Sequence, residues 1–169
     1  MSIPITLIVD DPAPLVNVYW WHAAEAQESE SPTHASGDAV ARSIPVDFLR
    51  RFIEVMSRRG IKGKFSVLPY PAGLGPITDG WAGCDHGELN AWLDLARQSI
   101  TPLMDITPEI LTHAKALDLD SRSLLPDDER TWSRHQTAST MTPYISYALE
   151  ILNAVDLEAR ASWEVAEWL

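Results

Sequence analysis

The chain has 169 residues, is 46% hydrophobic, and carries 24 acidic against 13 basic side chains, for a formal net charge of -11. That size and apolar content suit one ordinary domain with a single core, while the acidic balance repels phosphate-rich partners and argues against nucleic acid and anionic membrane surfaces. Cys84 is the sole cysteine, which rules out an intrachain disulfide and a Cys-rich metal site.

The first predicted element is a buried strand over residues 3–9, an apolar run that ends in the adjacent carboxylates Asp10 and Asp11. Pro12, Pro14 and the cluster Tyr19, Trp20, Trp21 follow, ahead of His22. Residues 23–42 are rich in Glu, Ser, Gly and small side chains without a period, which reads as a long loop. Pro45 opens an amphipathic helix over 46–59, with Gly60 as its stop. A short strand is expected within 64–70, then a turn rich in Pro and Gly. A second helix is expected from His86 to about Ser99, with Asp85 as N-cap and Glu88 at the capping-box position. Residues 103–119 suit a strand, although Thr107-Pro108-Glu109 is an equally good helix start. Residues 120–134 read as a polar loop with a short helix, Thr142-Pro143 as the start of a helix through Asn153, and 157–163 as a further strand. Strands alternating with helices argue an α/β fold with mostly parallel strands. About four βα units fit, short of the ~200 residues of a closed barrel, so an incomplete (β/α) barrel is the expected architecture for a single domain over residues 1–169. No signal-like N-terminus or membrane-length apolar stretch is visible, so the cytoplasm is the default location.

Two acids at the end of a strand reach the rim of a sheet, where one carboxylate can bind a divalent metal while the other takes a proton from water. Asp-Asp-Pro is also a good turn sequence, and locally the two readings compete. His113 lies near the end of a predicted strand, within reach of the same rim. Glu109 precedes it by four residues; only a helical or sharply turned segment would make the two co-ligands, since an extended strand separates them by about 13 Å. Tyr19, Trp20, Trp21 and Trp81 could stack on sugar faces with 69–75 lining the same rim, or fill the core; Trp92 and Trp163 read as structural.

Leu7-Ile8-Val9-Asp10-Asp11 resembles the first motif of the polysaccharide deacetylase superfamily, metal-dependent hydrolases on an incomplete glycoside hydrolase/deacetylase-type barrel, in which a Thr-Phe-Asp-Asp-like signature ends the first strand. Residues 45–49, 62–67, 69–73, 105–113 and 147–155 are similar to one branch of that superfamily. The resemblance implies a hydrolase that removes acyl groups from a carbohydrate or related small molecule, with Asp10 as catalytic base and Asp11 and His113 as ligands of a divalent metal, zinc being the candidate. It departs at Leu117, where the family's second motif has another histidine, and the later motifs do not occur, so the chain resembles the N-terminal part of such a barrel. His22, His34 and Glu109 are the candidates for the missing ligand. The alternative is a fragment or a non-catalytic binding or assembly module with a degenerate metal site, in which an open sheet edge would favour homo-oligomers.

Overall fold

The computed structural model describes residues 6–18 and 40–157. Within them the chain is mixed α/β. Strand β1 (Leu7–Asp10) leads into an antiparallel hairpin of β2 (Leu15–Val18) and β3 (Val40–Ser43), and helix α1 (Val46–Arg59) returns the chain to β4 (Gly63–Val67). Helix α2 (His86–Leu95), continued by a π-helical turn over Ala96–Ile100, leads to β5 (Met104–Pro108). A second hairpin, β6 (Lys115–Leu117) with β7 (Leu124–Asp128), is followed by the short helix α3 (Glu129–Ser133) and the long helix α4 (Ala138–Ala154).

The three strands β1, β4 and β5 pair in parallel with β4 in the middle, in chain order. Three strand-then-helix units are therefore present among the described residues; the fourth predicted strand, 157–163, lies almost wholly outside them, as do Tyr19, Trp20, Trp21, His22, His34 and Trp163. The outer edges of β1 and β5 have no strand partner among the described residues, and Ile8 on β1 is 57% exposed. No described helix is long and apolar enough to cross a membrane.

Periodicity explains why the helices cover one face of this sheet. Val9, Phe65 and Ile106 stand in register across the three strands, and Phe65 meets Phe52 of α1 and Trp92 of α2 at ring-centroid distances of 6.2 and 6.3 Å. Leu49, Met56, Leu89 and Leu93 complete that layer, while Tyr144, Ala148, Ile151 and Leu152 bring α4 into the same core. Successive strand residues alternate faces, so Asp10, Ser66 and Thr107, also in register, occupy the opposite face at the carboxyl ends of the strands.

Local chemistry sets the element ends. Gly60 stops α1 in the left-handed conformation, with its N–H bonded to the carbonyl of Ser57. Asp85 accepts from the N–H groups of Gly87 and Glu88, as its N-cap role requires. Glu88 does not close the box back onto Asp85: its carboxylate accepts from the Val46 N–H at 2.9 Å, capping the start of α1 instead. Helix α4 begins one turn before the predicted Thr142-Pro143 start, because Thr137 and Thr140 form a capping box and Pro143 is tolerated inside the helix. The region 120–134 holds strand β7 as well as a short helix, and 40–42, read as loop, pair with β2.

Gly63 marks the tightest strand approach. A Cβ built there would lie 1.8 Å from the Leu7 carbonyl oxygen, a backbone atom that cannot step aside without moving β1. Gly63→Ala is expected to destabilise the fold by about 1–3 kcal/mol, the usual range for overpacking, read as a lower urea midpoint at unchanged slope. An unchanged midpoint would mean that β1 is free to shift.

Candidate metal centre

Asp11, Glu109 and His113 come together at the carboxyl ends of the parallel strands, with one potential ligand atom from each lying within 4.8 Å of the others. Asp11 directly follows β1 and Glu109 directly follows β5, so the group bridges the two outer strands across the end of β4. Three backbone hydrogen bonds fix that bridge. The Leu68 N–H donates to the Pro12 carbonyl at 3.3 Å, the Glu109 N–H to the Val67 carbonyl at 2.8 Å, and the Tyr70 N–H to the Leu111 carbonyl at 2.9 Å.

The backbone at the site departs from extended structure to bring these groups together. Asp11 has φ of 56°, a left-handed conformation that a short acid tolerates. Ile110 at 36° and His113 at 47° are also positive, and for a β-branched residue such as Ile110 this is strained. These turns are the sharp reversal that Glu109 and His113 need to share a site, because a straight strand would carry His113 away. The His113 Nδ1 lies 3.1 Å from Asp11 Oδ2, and both side chains are partly exposed, at 37% and 28%.

Electrostatically the group favours a cation. Burial, followed by the negative charge of Asp11, pushes the Glu109 carboxyl above its ordinary pKa; His113 opposes this, and Asp10 adds to it. Two carboxylates therefore crowd one imidazole, an oxygen-rich donor set of the kind that divalent ions accept. Asp10 is exposed and lies outside the three-residue group, yet is near enough for its charge to act on Glu109.

Glu129 has no part in the sequence-based site, and its role is positional. It is 2% exposed, and its Oε1 accepts from the Thr112 N–H at 3.0 Å and the Tyr144 hydroxyl at 2.7 Å, while Oε2 accepts from the His113 N–H at 2.8 Å. Burial still dominates and raises its pKa. The carboxylate thus clamps the backbone that carries His113. An acid in the first turn of a short polar helix gives no sign of this, since the partners lie 15 to 17 residues away in sequence.

Leu117, the position of the absent second histidine, is 2% exposed in the core and its N–H donates to the Tyr144 hydroxyl, so it faces away from ligand duty. Pro69, Tyr70, Pro71 and Ala72 are buried, so they do not form an open rim. Trp81 is partly buried against the core and Trp92 is fully within it. Comparison with known proteins returned no matching family model, no matching curated protein and no matching solved structure.

Proposed function

We propose that the chain is a metal-dependent hydrolase of the polysaccharide deacetylase type, removing acyl groups from a carbohydrate or related substrate. The observation that carries this reading is the convergence of Asp11, Glu109 and His113 at the carboxyl end of a parallel sheet built in chain order, where barrel enzymes keep their chemistry. Two carboxylates and an imidazole fit a divalent ion, zinc being the candidate and manganese an alternative for so oxygen-rich a set. Such an ion, when bound, polarises an acyl oxygen and makes water a stronger acid.

The chain's own residues supply the rest. Glu109 supplies a third potential ligand beside Asp11 and His113, so the ligand set has three protein members although Leu117 contributes none. Asp10, exposed and adjacent to Asp11, serves as the general base that takes a proton from the attacking water. A cavity of about 640 Å³ lined by Glu109, His113 and α3 adjoins the group and is large enough for a sugar unit.

The test is hydrolysis of a chromogenic acetyl ester and of an acetylated chitooligosaccharide by the zinc-loaded and manganese-loaded protein. Asp10→Ala should lower kcat by about 10²- to 10⁴-fold, the usual contribution of general base catalysis, while leaving calorimetric metal binding in place. Activity that survives the substitution would remove Asp10 from the mechanism. Metal binding without hydrolysis of either substrate would favour a binding module that retains the scaffold.

A further inference from the structure

The cavity beside the candidate metal centre has one wall that the proposed chemistry does not use. It is formed by α3 and its C-cap, and it brings Arg130 and Arg134 to the same space as Glu109 and His113. Positions four apart on a helical turn lie on one face, so the two side chains leave α3 on the same side, and both line the cavity. Among the described residues neither forms an ion pair, whereas Arg50 and Arg97 are bound to Asp47 and Asp94. Arg51, Arg58 and Arg59 are exposed on α1, away from this cavity.

The acids of the same wall are already engaged. Asp128 accepts from the Thr131 N–H at 2.8 Å through one oxygen and from the Thr131 hydroxyl at 2.7 Å through the other, capping α3. Glu129 turns inward onto Thr112, His113 and Tyr144. On this wall Arg130 and Arg134 balance Asp128 and Glu129 in charge, and because both carboxylates are bonded within the chain, the guanidinium N–H donors are the groups left to meet a ligand in a chain of net charge -11.

We infer that Arg130 and Arg134 form an oxyanion-recognising subsite, so that the substrate carries a carboxylate or phosphate within one sugar unit of the bond that is cleaved. Guanidinium groups bind both anions through paired N–H donors. The overall negative charge disfavours an extended polyanion, which narrows the class to a small or mostly neutral acylated saccharide with a single acidic group. The substrate assignment rests on the hydrolase reading; the anion site itself does not.

Calorimetry on metal-free protein separates the two. D-glucuronate and inorganic phosphate are titrated separately into wild type, Asp11→Asn and the double variant Arg130→Ala/Arg134→Ala, with neutral glucose as control. Wild type and Asp11→Asn should bind at least one of the anions and not glucose, and the double variant should bind it about 10- to 100-fold more weakly, as expected for lost charge-assisted hydrogen bonds. Preference between the two anions identifies the acidic group. Equal anion binding by the double variant and wild type, or no anion binding by wild type, overturns the inference. On the loaded enzyme, an O-acetylated glucuronoside should be preferred over the matching glucoside by a similar factor in kcat/KM, and the double variant should erase that preference while still cleaving the glucoside. Hydrolysis without the preference overturns the subsite alone; anion binding without hydrolysis overturns the hydrolase reading alone.

Discussion

Asp11→Asn should weaken zinc or manganese binding by more than about 100-fold while leaving the fold intact, because loss even of an outer partner of a metal ligand costs about 10- to 100-fold. Asparagine is the informative replacement: it tolerates the left-handed backbone at φ 56°, where alanine would add strain of its own. The charge is what changes. Asp11 is the foremost charged neighbour holding the Glu109 carboxyl above its ordinary pKa, so its neutralisation relieves a repulsion in the metal-free protein. The same substitution also removes the charge facing the His113 imidazole at 3.1 Å, although an asparagine oxygen can still accept from it, so the metal-free variant is expected to melt close to wild type.

A thermal shift gives a second readout. At a metal concentration of 100 times Kd, a site present only in the folded state adds about 2.7 kcal/mol, which for a chain of this length raises Tm by about 5–11 °C. Wild type should show that rise and Asp11→Asn should not. Glu109→Gln and His113→Asn, the latter chosen for the positive φ there, should behave like Asp11→Asn, and Asp10→Ala like wild type, since Asp10 stands outside the converging group. Negligible binding in wild type, or equal binding in wild type and Asp11→Asn, would refute the metal centre.

What the sequence made legible about this site follows from what local pattern can encode. The strand ending in Asp10-Asp11, helix α1 with its glycine stop, and the Asp85 cap all depend on neighbours a few residues apart, and each is where the pattern puts it, although among the described residues β1 is an exposed edge strand where the apolar run predicts a buried one. The turn reading of Asp-Asp-Pro holds at Asp11, which has positive φ, and that turn is what brings its side chain to His113. Glu109 was visible only conditionally, because its partnership with His113 needs the kinks at Ile110 and His113, and no propensity predicts positive φ at an isoleucine. The start of α4 differs from the local pattern for a related reason. Proline is common at the first turn and so points to a boundary at Thr142-Pro143, whereas the Thr137–Thr140 box starts the helix at Ala138.

Glu129 lies at the far end of that scale, and its replacement carries the other large effect. Three donors converge on one buried carboxylate, and no arrangement of a glutamine amide can accept from all of them. If the amide nitrogen replaces Oε2 it opposes the His113 N–H; if it replaces Oε1 it opposes the Thr112 N–H and the Tyr144 hydroxyl. Glu129→Gln is therefore expected to cost about 1–3 kcal/mol of stability, the range for an unsatisfied buried group, or about 2–4 °C in Tm per kcal/mol. It should also weaken metal binding by about 10- to 100-fold, because the backbone under His113 loses its anchor. Tyr144→Phe distinguishes positioning from plain destabilisation. It removes one donor from Glu129 and the acceptor of the buried Leu117 N–H, with a comparable stability loss, yet leaves both backbone bonds from Thr112 and His113 to the carboxylate. Stability should fall in both variants, and metal affinity only in Glu129→Gln. Parallel losses of affinity in the two would reduce Glu129 to a core residue, whereas the split would tie the geometry of the metal centre to a side chain that never touches the metal.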